Sequence, residues 1–127
     1  VADVDYKEGE YVTVASTHLD YTNTQERQTQ VKKLNEVLQN KPYPVIVAGD
    51  FNALANSKEI AQGMAQWLQL CNDDATVPAS QPRRKIDFIF GYPQNAWSVV
   101  ENASYMSPLS DHLPISAVVE MKKQGKE

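Results

Sequence analysis

A short apolar run that ends in an acid and an amide is the first candidate for chemistry. Residues 45–48 are small or β-branched, which is typical of a buried strand, and Gly49 allows the backbone to turn directly after them. Asp50 and Asn52 follow two positions apart, so in extended backbone their side chains point to the same side. A carboxylate beside a carboxamide can hold a water, a hard cation or a phosphate oxygen. The alternative is a turn in which both residues only cap the strand.

A second candidate pairs an acid with a distant histidine. Asp87 lies between two apolar residues in a predicted strand, where an unpaired carboxylate would be costly. Asp111 and His112 are adjacent and point to opposite sides of extended backbone, so His112 needs an orienting carboxylate from elsewhere. A hydrogen bond between His112 and Asp87 would fix the imidazole tautomer, raise its proton affinity and leave Asp111 free to bind a cation. The competing interpretation is a salt bridge from Asp87 to a basic residue within 83–85.

His18 is a weaker candidate at the end of another predicted strand. A histidine in that position is often only a hydrogen-bonded edge residue, and this interpretation stays open. Arg27 is expected to solvate the first helix or to tie it to the sheet. The basic run 83–85 could steer a phosphate, although three basic residues in a loop are usually just solvated.

The strands that must position these residues are predicted from hydrophobic alternation and β-branched runs. A hairpin turn is expected over 7–10, after a weakly alternating start, and a polar surface loop over 72–82. Strands are expected at 11–17, 45–48, 86–90, 97–105 and 114–121.

Two helices are predicted between these strands. The first should begin at a capping pair, Asn23 and Glu26, and end near Asn40. The second should begin at a similar pair, Asn56 and Glu59. Its buried stripe at helical spacing comprises Ile60, Met64, Trp67, Leu68 and Cys71. The order β-β-α-β-α-β-β-β predicts an α/β (α+β) chain with a mixed, mostly antiparallel sheet and helices on one face.

The predicted strand ends can bring the polar residues together. Two of the four segments, at His18 and at 50–52, follow strands, and the other two, at Asp87 and at 110–112, precede strands. In an antiparallel pair, the end of one strand and the start of its neighbour lie at the same edge of the sheet. All four segments are therefore expected at one edge, where α/β sheets commonly bind ligands.

Composition limits the classes of function. The 127 residues make one domain at most, and the 42% of hydrophobic residues is enough for a core. The net charge of −4 argues against a broad basic surface for nucleic-acid binding, although a metal ion could still supply positive charge for a nucleic-acid substrate. The single cysteine, Cys71, excludes an internal disulfide and, with two histidines, argues against a closed zinc site. No apolar run approaches the roughly 20 residues that span a bilayer.

Four segments in sequence order carry a family resemblance. The segments 16–20, 49–52, 86–88 and 110–112 read STHLD, GDFN, IDF and SDH. Together they resemble the endonuclease/exonuclease/phosphatase superfamily, the metal-dependent group of DNase I-like nucleases, sphingomyelinase-like phosphodiesterases and inositol-phosphate phosphatases. The resemblance implies half of a four-layer sandwich, in which two mixed sheets pack together with helices outside.

The resemblance covers about the second half of the family's domain. The first half ordinarily brings an Asn on its opening strand and a Glu that is the principal metal ligand, and neither motif is found in residues 1–10. The resemblance therefore implies that residues 1–127 are a C-terminal half-domain whose N-terminal half is absent. An uncovered apolar sheet face would follow, and self-association through it as a homodimer is a hypothesis.

The resemblance also implies a reaction, the hydrolysis of a phosphodiester or phosphomonoester by water attack at phosphorus. Asp50 would activate the water and Asn52 would position it or donate to the phosphate. His112, oriented by Asp87, would contact the phosphate and stabilise or protonate the charged group, and His18 would contact the phosphate too.

The implied cofactor is Mg²⁺, or Mn²⁺, held by Asp111 with help from Asp50 and Asn52. So few ligands should bind it weakly, and little activity is expected from the isolated chain. The alternatives are a non-catalytic interaction module or inactive fragment that retains the fold, and a nucleic-acid-binding domain, which the acidic charge disfavours.

Overall fold

The computed structural model describes residues 1–7 and 10–122. Seven strands and one long helix are present in that part of the chain, with a π-helical turn at Lys58–Gln62 and a 3₁₀ turn at Gln94–Ala96. The helix and the strands are β1 (Ala2–Lys7), β2 (Glu10–His18), α1 (Thr24–Leu38), β3 (Val45–Asp50), β4 (Leu68–Gln69), β5 (Asp87–Tyr92), β6 (Trp97–Ser104) and β7 (Ile115–Met121).

Five strands form one sheet in the order β1-β2-β3-β5-β4, and β6 pairs with β7 as a separate ribbon. Only β2 and β3 run parallel, joined by α1, and the other pairs are antiparallel. The predicted mixed, mostly antiparallel sheet is therefore confirmed. The hairpin turn predicted over 7–10 includes residues 8 and 9, which lie outside the described residues.

The two faces of the sheet are covered by different elements. Val31 of α1 belongs to the cluster that contains Val47 and Phe88 on one face. Because strand side chains alternate, Ile46 lies on the opposite face, where it packs on a cluster that contains Trp97 of β6. The α1 side thus carries the larger core, and the β6–β7 ribbon covers part of the other side.

The first helix begins where the sequence predicts. The side chain of Asn23 accepts a hydrogen bond of 3.0 Å from the backbone N–H of Glu26, and the helix ends at Leu38. An N-cap of this kind satisfies one of the amide groups left without a partner in the first helical turn.

The second predicted helix is wrong in its length and its cap. The helical segment spans only Lys58–Gln62 and is capped by Ser57 rather than Asn56, while Leu68 belongs to β4. Glu59 is 97% buried, and its charge is balanced there by an ion pair of 2.7 Å with the Nε atom of Arg27 on α1. The sequence pattern treats Glu59 as an exposed capping residue in the first turn of the helix. Its buried contact with Arg27 explains why the predicted cap is wrong.

Asn35 of α1 explains why the helical turn stops. Its amide donates to the carbonyl of Gly63 at 2.7 Å, and the indole N–H of Trp67 donates to its amide oxygen at 2.6 Å. The carbonyl of Gly63 would otherwise accept the backbone N–H of Trp67 in a continuing helix. The predicted apolar stripe is still buried at Ile60, Met64, Trp67 and Cys71, but loop and turn backbone carries most of it.

Candidate active site

The register of three strands places three polar side chains at one end of the sheet. His18 is the last residue of β2 and pairs with Asp50, the last residue of β3. Asp50 in turn pairs with Asp87, the first residue of β5. Directly paired residues have side chains on the same face of a sheet, so all three project to the side that carries the β6–β7 ribbon.

A fourth side chain reaches this group from the segment between β6 and β7. The Nδ1 atom of His112 lies 2.8 Å from an oxygen of Asp87, within hydrogen-bond distance. Its Nε2 atom lies 3.6 Å from the Oδ2 atom of Asp50, and the Nε2 atom of His18 lies 3.6 Å from the same oxygen. Two imidazoles therefore converge on one carboxylate oxygen, and His112 is oriented by a second carboxylate.

The two histidines differ in exposure. The side chain of His18 is 75% exposed and that of His112 is 31% exposed. Burial by itself lowers the pKa of His112, but the hydrogen bond to Asp87 and the charges of Asp87, Asp50 and Asp111 outweigh it, so the pKa is raised. A raised pKa keeps more of the imidazole protonated near neutral pH, and protonated imidazole favours contact with an anion.

The turn after β3 holds Asp50 and Asn52 in place. Gly49 has a φ of +152°, and a Cβ atom there would overlap the carbonyl of Thr17 in the neighbouring strand. The backbone N–H of Asn52 donates to Asp50 at 2.8 Å, and the Asn52 amide donates to the carbonyl of Leu19 at 2.8 Å. Asn52 therefore links the ends of β2 and β3 at the site.

The segment after His18 is held by α1. Gln30 accepts a hydrogen bond of 2.9 Å from the backbone N–H of Asp20, and Arg27 donates to the Asp20 carbonyl at 3.1 Å. Hydrogen bonds from Thr22 to the carboxylate are the main reason that the pKa of Asp20 is lowered. Arg27 is only 12% exposed, so the solvated alternative is wrong. Its side chain ties α1 to Glu59 and to the Asp20 carbonyl, which lie outside the strands, rather than to the sheet itself.

One group of residues could hold a metal ion. Oxygen or nitrogen atoms of Asp50, Asp87 and His112 all lie within 4.8 Å of one another, the only such group found among the described residues. A hard cation prefers oxygen ligands, and Asp50 and Asn52 offer a carboxylate and an amide at the rim. Asp111, predicted to complete the metal site, is exposed, and the hydroxyl of Ser110 lies 3.4 Å from its carboxylate. The donor set therefore suits a divalent cation with few protein ligands.

The structure brings together most of the residues singled out in the sequence. His18, Asp50, Asp87 and His112 form the cluster, and Asn52 braces its edge. Within the described residues, the partner found for the Asp87 carboxylate is His112, and no ion pair joins it to the basic run 83–85.

Sequence reasoning missed the buried Arg27–Glu59 pair, which depends on a contact between segments that are distant in sequence. A glutamate three residues after a predicted N-cap residue gives no local sign in the sequence that it is buried.

No helix among the described residues is long and apolar enough to cross a membrane.

Comparison with known proteins gives a family and a fold. A family profile described as the endonuclease/exonuclease/phosphatase family matches residues 2–112. No curated protein matches the sequence.

Solved structures resemble the chain over half of their own length. An endonuclease/exonuclease/phosphatase family protein from Leptotrichia buccalis has a TM-score of 0.74 at 20% identity, over 94% of this chain and 52% of that one. A conserved protein of unknown function from Enterococcus faecalis has a TM-score of 0.73 at 23% identity, over 89% and 50%. A mannosyl-6-phosphatase from Bacteroides thetaiotaomicron has a TM-score of 0.65 at 17% identity, over 88% and 51%.

Proposed function

Because the chain belongs to the endonuclease/exonuclease/phosphatase family, we propose that it carries the phosphate-binding and water-activating groups of a phosphoester hydrolase. One observation carries the proposal: the Nε2 atoms of His18 and His112 both lie 3.6 Å from the same oxygen of Asp50. An arrangement of two imidazoles around a carboxylate can bind a phosphate on its nitrogen atoms and a water on its oxygen.

In the proposed reaction, a water oxygen attacks phosphorus while the bond from phosphorus to the ester oxygen breaks. Asp50 accepts the proton that the water loses, and Asn52 holds Asp50 at the end of β3. The imidazoles of His18 and His112 donate hydrogen bonds to phosphate oxygens, where negative charge builds up. His112, held by Asp87 through Nδ1, also carries a proton on Nε2 that can pass to the leaving oxygen.

We further propose that the site binds Mg²⁺ or Mn²⁺. The ligands predicted from the sequence, oxygen atoms of Asp50, Asn52 and Asp111, would hold the ion, and the ion would neutralise charge on the phosphate. Of the two acids, only Asp50 belongs to the group of converging donors. Mg²⁺ demands near-octahedral coordination, so three protein ligands should bind it weakly and little activity is expected from this chain alone.

The proposed domain organisation is a C-terminal half of a family domain, consistent with a chain that spans about half the length of the solved structures it matches. Val4 and Val14 are 41% and 39% exposed and lie on the sheet face that the ribbon only partly covers. We propose that the other half of the domain packs on this face. The homodimer predicted from the sequence has no support from the structure or the comparisons and stays a prediction.

Phosphate binding tests the site without requiring turnover. Inorganic phosphate is titrated into the chain while the imidazole NMR signals of His18 and His112 are followed. Saturable shifts of both signals are expected. In the His18→Ala and His112→Ala double variant, where binding is followed through the backbone amide signals of Leu19 and Leu113, loss of binding is expected. Binding that is unchanged in the double variant would overturn the assignment of these imidazoles to phosphate.

Hydrolysis of bis(4-nitrophenyl) phosphate and 4-nitrophenyl phosphate, with added Mg²⁺, tests the reaction in the full-length protein. Activity should be lost in Asp50→Asn and kept in Glu36→Gln, a matched change on the exposed side of α1. Equal, measurable activity of Asp50→Asn and the unchanged protein would contradict the role of Asp50 as the base. Absence of hydrolysis in both would contradict the hydrolase and favour the non-catalytic module.

A further inference from the structure

Thr76 is a fully buried residue in a loop that the sequence predicts to lie on the surface. It belongs to the polar segment between β4 and β5, yet its exposed fraction is 0%. The segment has no regular secondary structure apart from an isolated bridge between Val77 and Arg84. A small polar residue that is completely buried must have hydrogen-bond partners, and the partners of Thr76 are informative.

The hydrogen-bonding groups of Thr76 reach two segments, residues 84–86 and Leu113. Its carbonyl accepts the backbone N–H of Leu113 at 2.9 Å, and its backbone N–H donates to the carbonyl of Arg84 at 2.8 Å. Its hydroxyl oxygen accepts the backbone N–H of Ile86 at 3.4 Å. Leu113 directly follows His112, and Ile86 directly precedes Asp87, so one residue is bonded to the neighbours of both members of the pair.

A second bond from the same segment holds the other side of His112. The backbone N–H of Ala79 donates to the carbonyl of Asp111 at 2.8 Å. His112 is therefore bracketed by two backbone hydrogen bonds, one to the residue before it and one to the residue after it. The stretch from Tyr105 to Pro114 has no strand or helix of its own, so these bonds fix the position of the imidazole.

We propose that Thr76 is a positioning residue that sets the distance between Asp87 and His112 by binding the backbone beside each of them. The hydroxyl fixes the start of β5 and the carbonyl fixes the segment that carries the imidazole. Its catalytic consequence rests on the proposed function, whereas its structural consequence, the geometry of the Asp87–His112 hydrogen bond, does not. A catalytic group displaced by about 1 Å can lose as much as a hundredfold in rate.

The hydroxyl can be removed without changing the shape of the side chain. Thr76→Val is nearly isosteric and leaves the N–H of Ile86 without an acceptor, while Thr76→Ser keeps the hydroxyl and loses only a methyl group. Asp87→Asn provides the reference for a pair that has lost its carboxylate. The indole N–H signal of Trp67, which reports its bond to Asn35 on the far side of the sheet, controls for general unfolding.

The first measurement is the imidazole nitrogen spectrum of His112 in metal-free buffer at a fixed alkaline pH. The unchanged chain and Thr76→Ser should show the tautomer protonated on Nδ1, as the bond to Asp87 requires. Thr76→Val should shift toward the tautomer protonated on Nε2, in the direction of Asp87→Asn. A Thr76→Val spectrum identical to that of the unchanged chain, with the Trp67 signal intact, would overturn the proposal.

The second measurement needs no variant and tests the two backbone bonds to Thr76 directly if Thr76→Val does not fold. Amide hydrogen exchange in the unchanged chain should show Ile86 and Leu113 protected to a similar degree, because both amides are bonded to one residue. Exchange of either amide at the rate of an unstructured segment would overturn the proposal.

The third measurement separates this proposal from the proposed function. In the active protein, kcat should fall roughly tenfold to a hundredfold in Thr76→Val, with KM unchanged and with recovery in Thr76→Ser. A shifted His112 spectrum without any change in kcat would leave the positioning intact and count against the proposed role of His112 in catalysis. A lower kcat with an unshifted spectrum would count against the positioning.

Discussion

The site combines two regions that hold their side chains by different means. His18, Asp50 and Asp87 are strand-borne groups, each at the end of a strand whose ladder fixes its place. His112 is a loop-borne group that depends on a few backbone bonds to the 76–79 segment. Many hydrogen bonds together maintain the register of a strand, whereas the loss of one bond can change the position of a loop. Activity should therefore be lost in the strand-borne region mainly when a functional group is replaced or the backbone is forced apart. In the loop-borne region, a small displacement of the side chain should be enough.

The largest expected effect removes the chemistry of a strand-borne group and leaves its position unchanged. Asp50→Asn should lower kcat by about 10² to 10⁴-fold, the usual contribution of a general base. The amide can still accept the N–H of Asn52, so the turn should be kept and the thermal midpoint should change little. Kinetics on the active protein and thermal unfolding measure the two effects, with Glu36→Gln as the control. A comparable loss in that control would contradict the specific role of Asp50.

The next effect breaks the position of the strand-borne region. In Gly49→Ala the new methyl group meets the Thr17 carbonyl, and the positive φ alone should destabilise the fold by about 1–3 kcal/mol. Ser16→Ala, an exposed change in β2, is the matched control and should stay within about 0.5 kcal/mol. Denaturant unfolding measures both. An unfolding midpoint in Gly49→Ala equal to that of the control would show that β2 and β3 are not packed so closely.

A smaller effect loosens the link between the two regions. Asp87→Asn removes the carboxylate that raises the pKa of His112, so that pKa should fall. Charged His112 stabilises the unchanged fold below the ordinary imidazole pKa of about 6.5, and this contribution disappears as pH rises through the higher folded-state pKa. The excess stability of the unchanged chain over Asp87→Asn should therefore decline across that window.

NMR titration in metal-free buffer and denaturant unfolding at several pH values check this prediction. An unchanged pKa of His112 in Asp87→Asn would mean that the hydrogen bond to Asp87 does not stabilise the protonated imidazole.

The smallest expected effect lies beside the loop-borne region and stabilises it. Lys85 is 91% buried, and within the described residues its ammonium has no hydrogen-bond partner, although it lies 5.1 Å from the ring centre of Phe88. A buried unpaired cation costs more than one such aromatic contact returns, so Lys85→Met should raise the unfolding free energy by about 1 kcal/mol. Lys33→Met, on the exposed side of α1, should change it by less than about 0.5 kcal/mol. Destabilisation by Lys85→Met would indicate that the ammonium has a favourable partner.

The same comparison explains which features the sequence predicts. Strand ends follow from local alternation, so the convergence of His18, Asp50 and Asp87 could be predicted from the sequence alone. The pairing of His112 with Asp87 followed from chemistry, because adjacent residues cannot share one face. Thr76 carries no local signal, since a threonine in a polar loop looks the same whether it is solvated or buried.

The second helix failed as a prediction for a related reason. Helical spacing from Ile60 to Cys71 records burial, and burial is what the structure has. The backbone conformation was decided instead by Asn35 and by Arg27, which lie on another element and bind Gly63 and Glu59. Competing side-chain bonds of this kind are invisible to a pattern read along one segment.

The register at the ends of β2, β3 and β5 restricts how this chain can vary among descendants. Inserting one residue within β2 would turn His18 toward the α1 side and would bring the buried side chains of β2 to the surface. Loss of the site and loss of stability would then act together against such a variant. Length changes between Ser104 and Ile115 meet no such barrier at the sheet. Diversity in length should therefore accumulate there, outside the part bonded to Thr76 and Ala79, while the strands drift only by substitution.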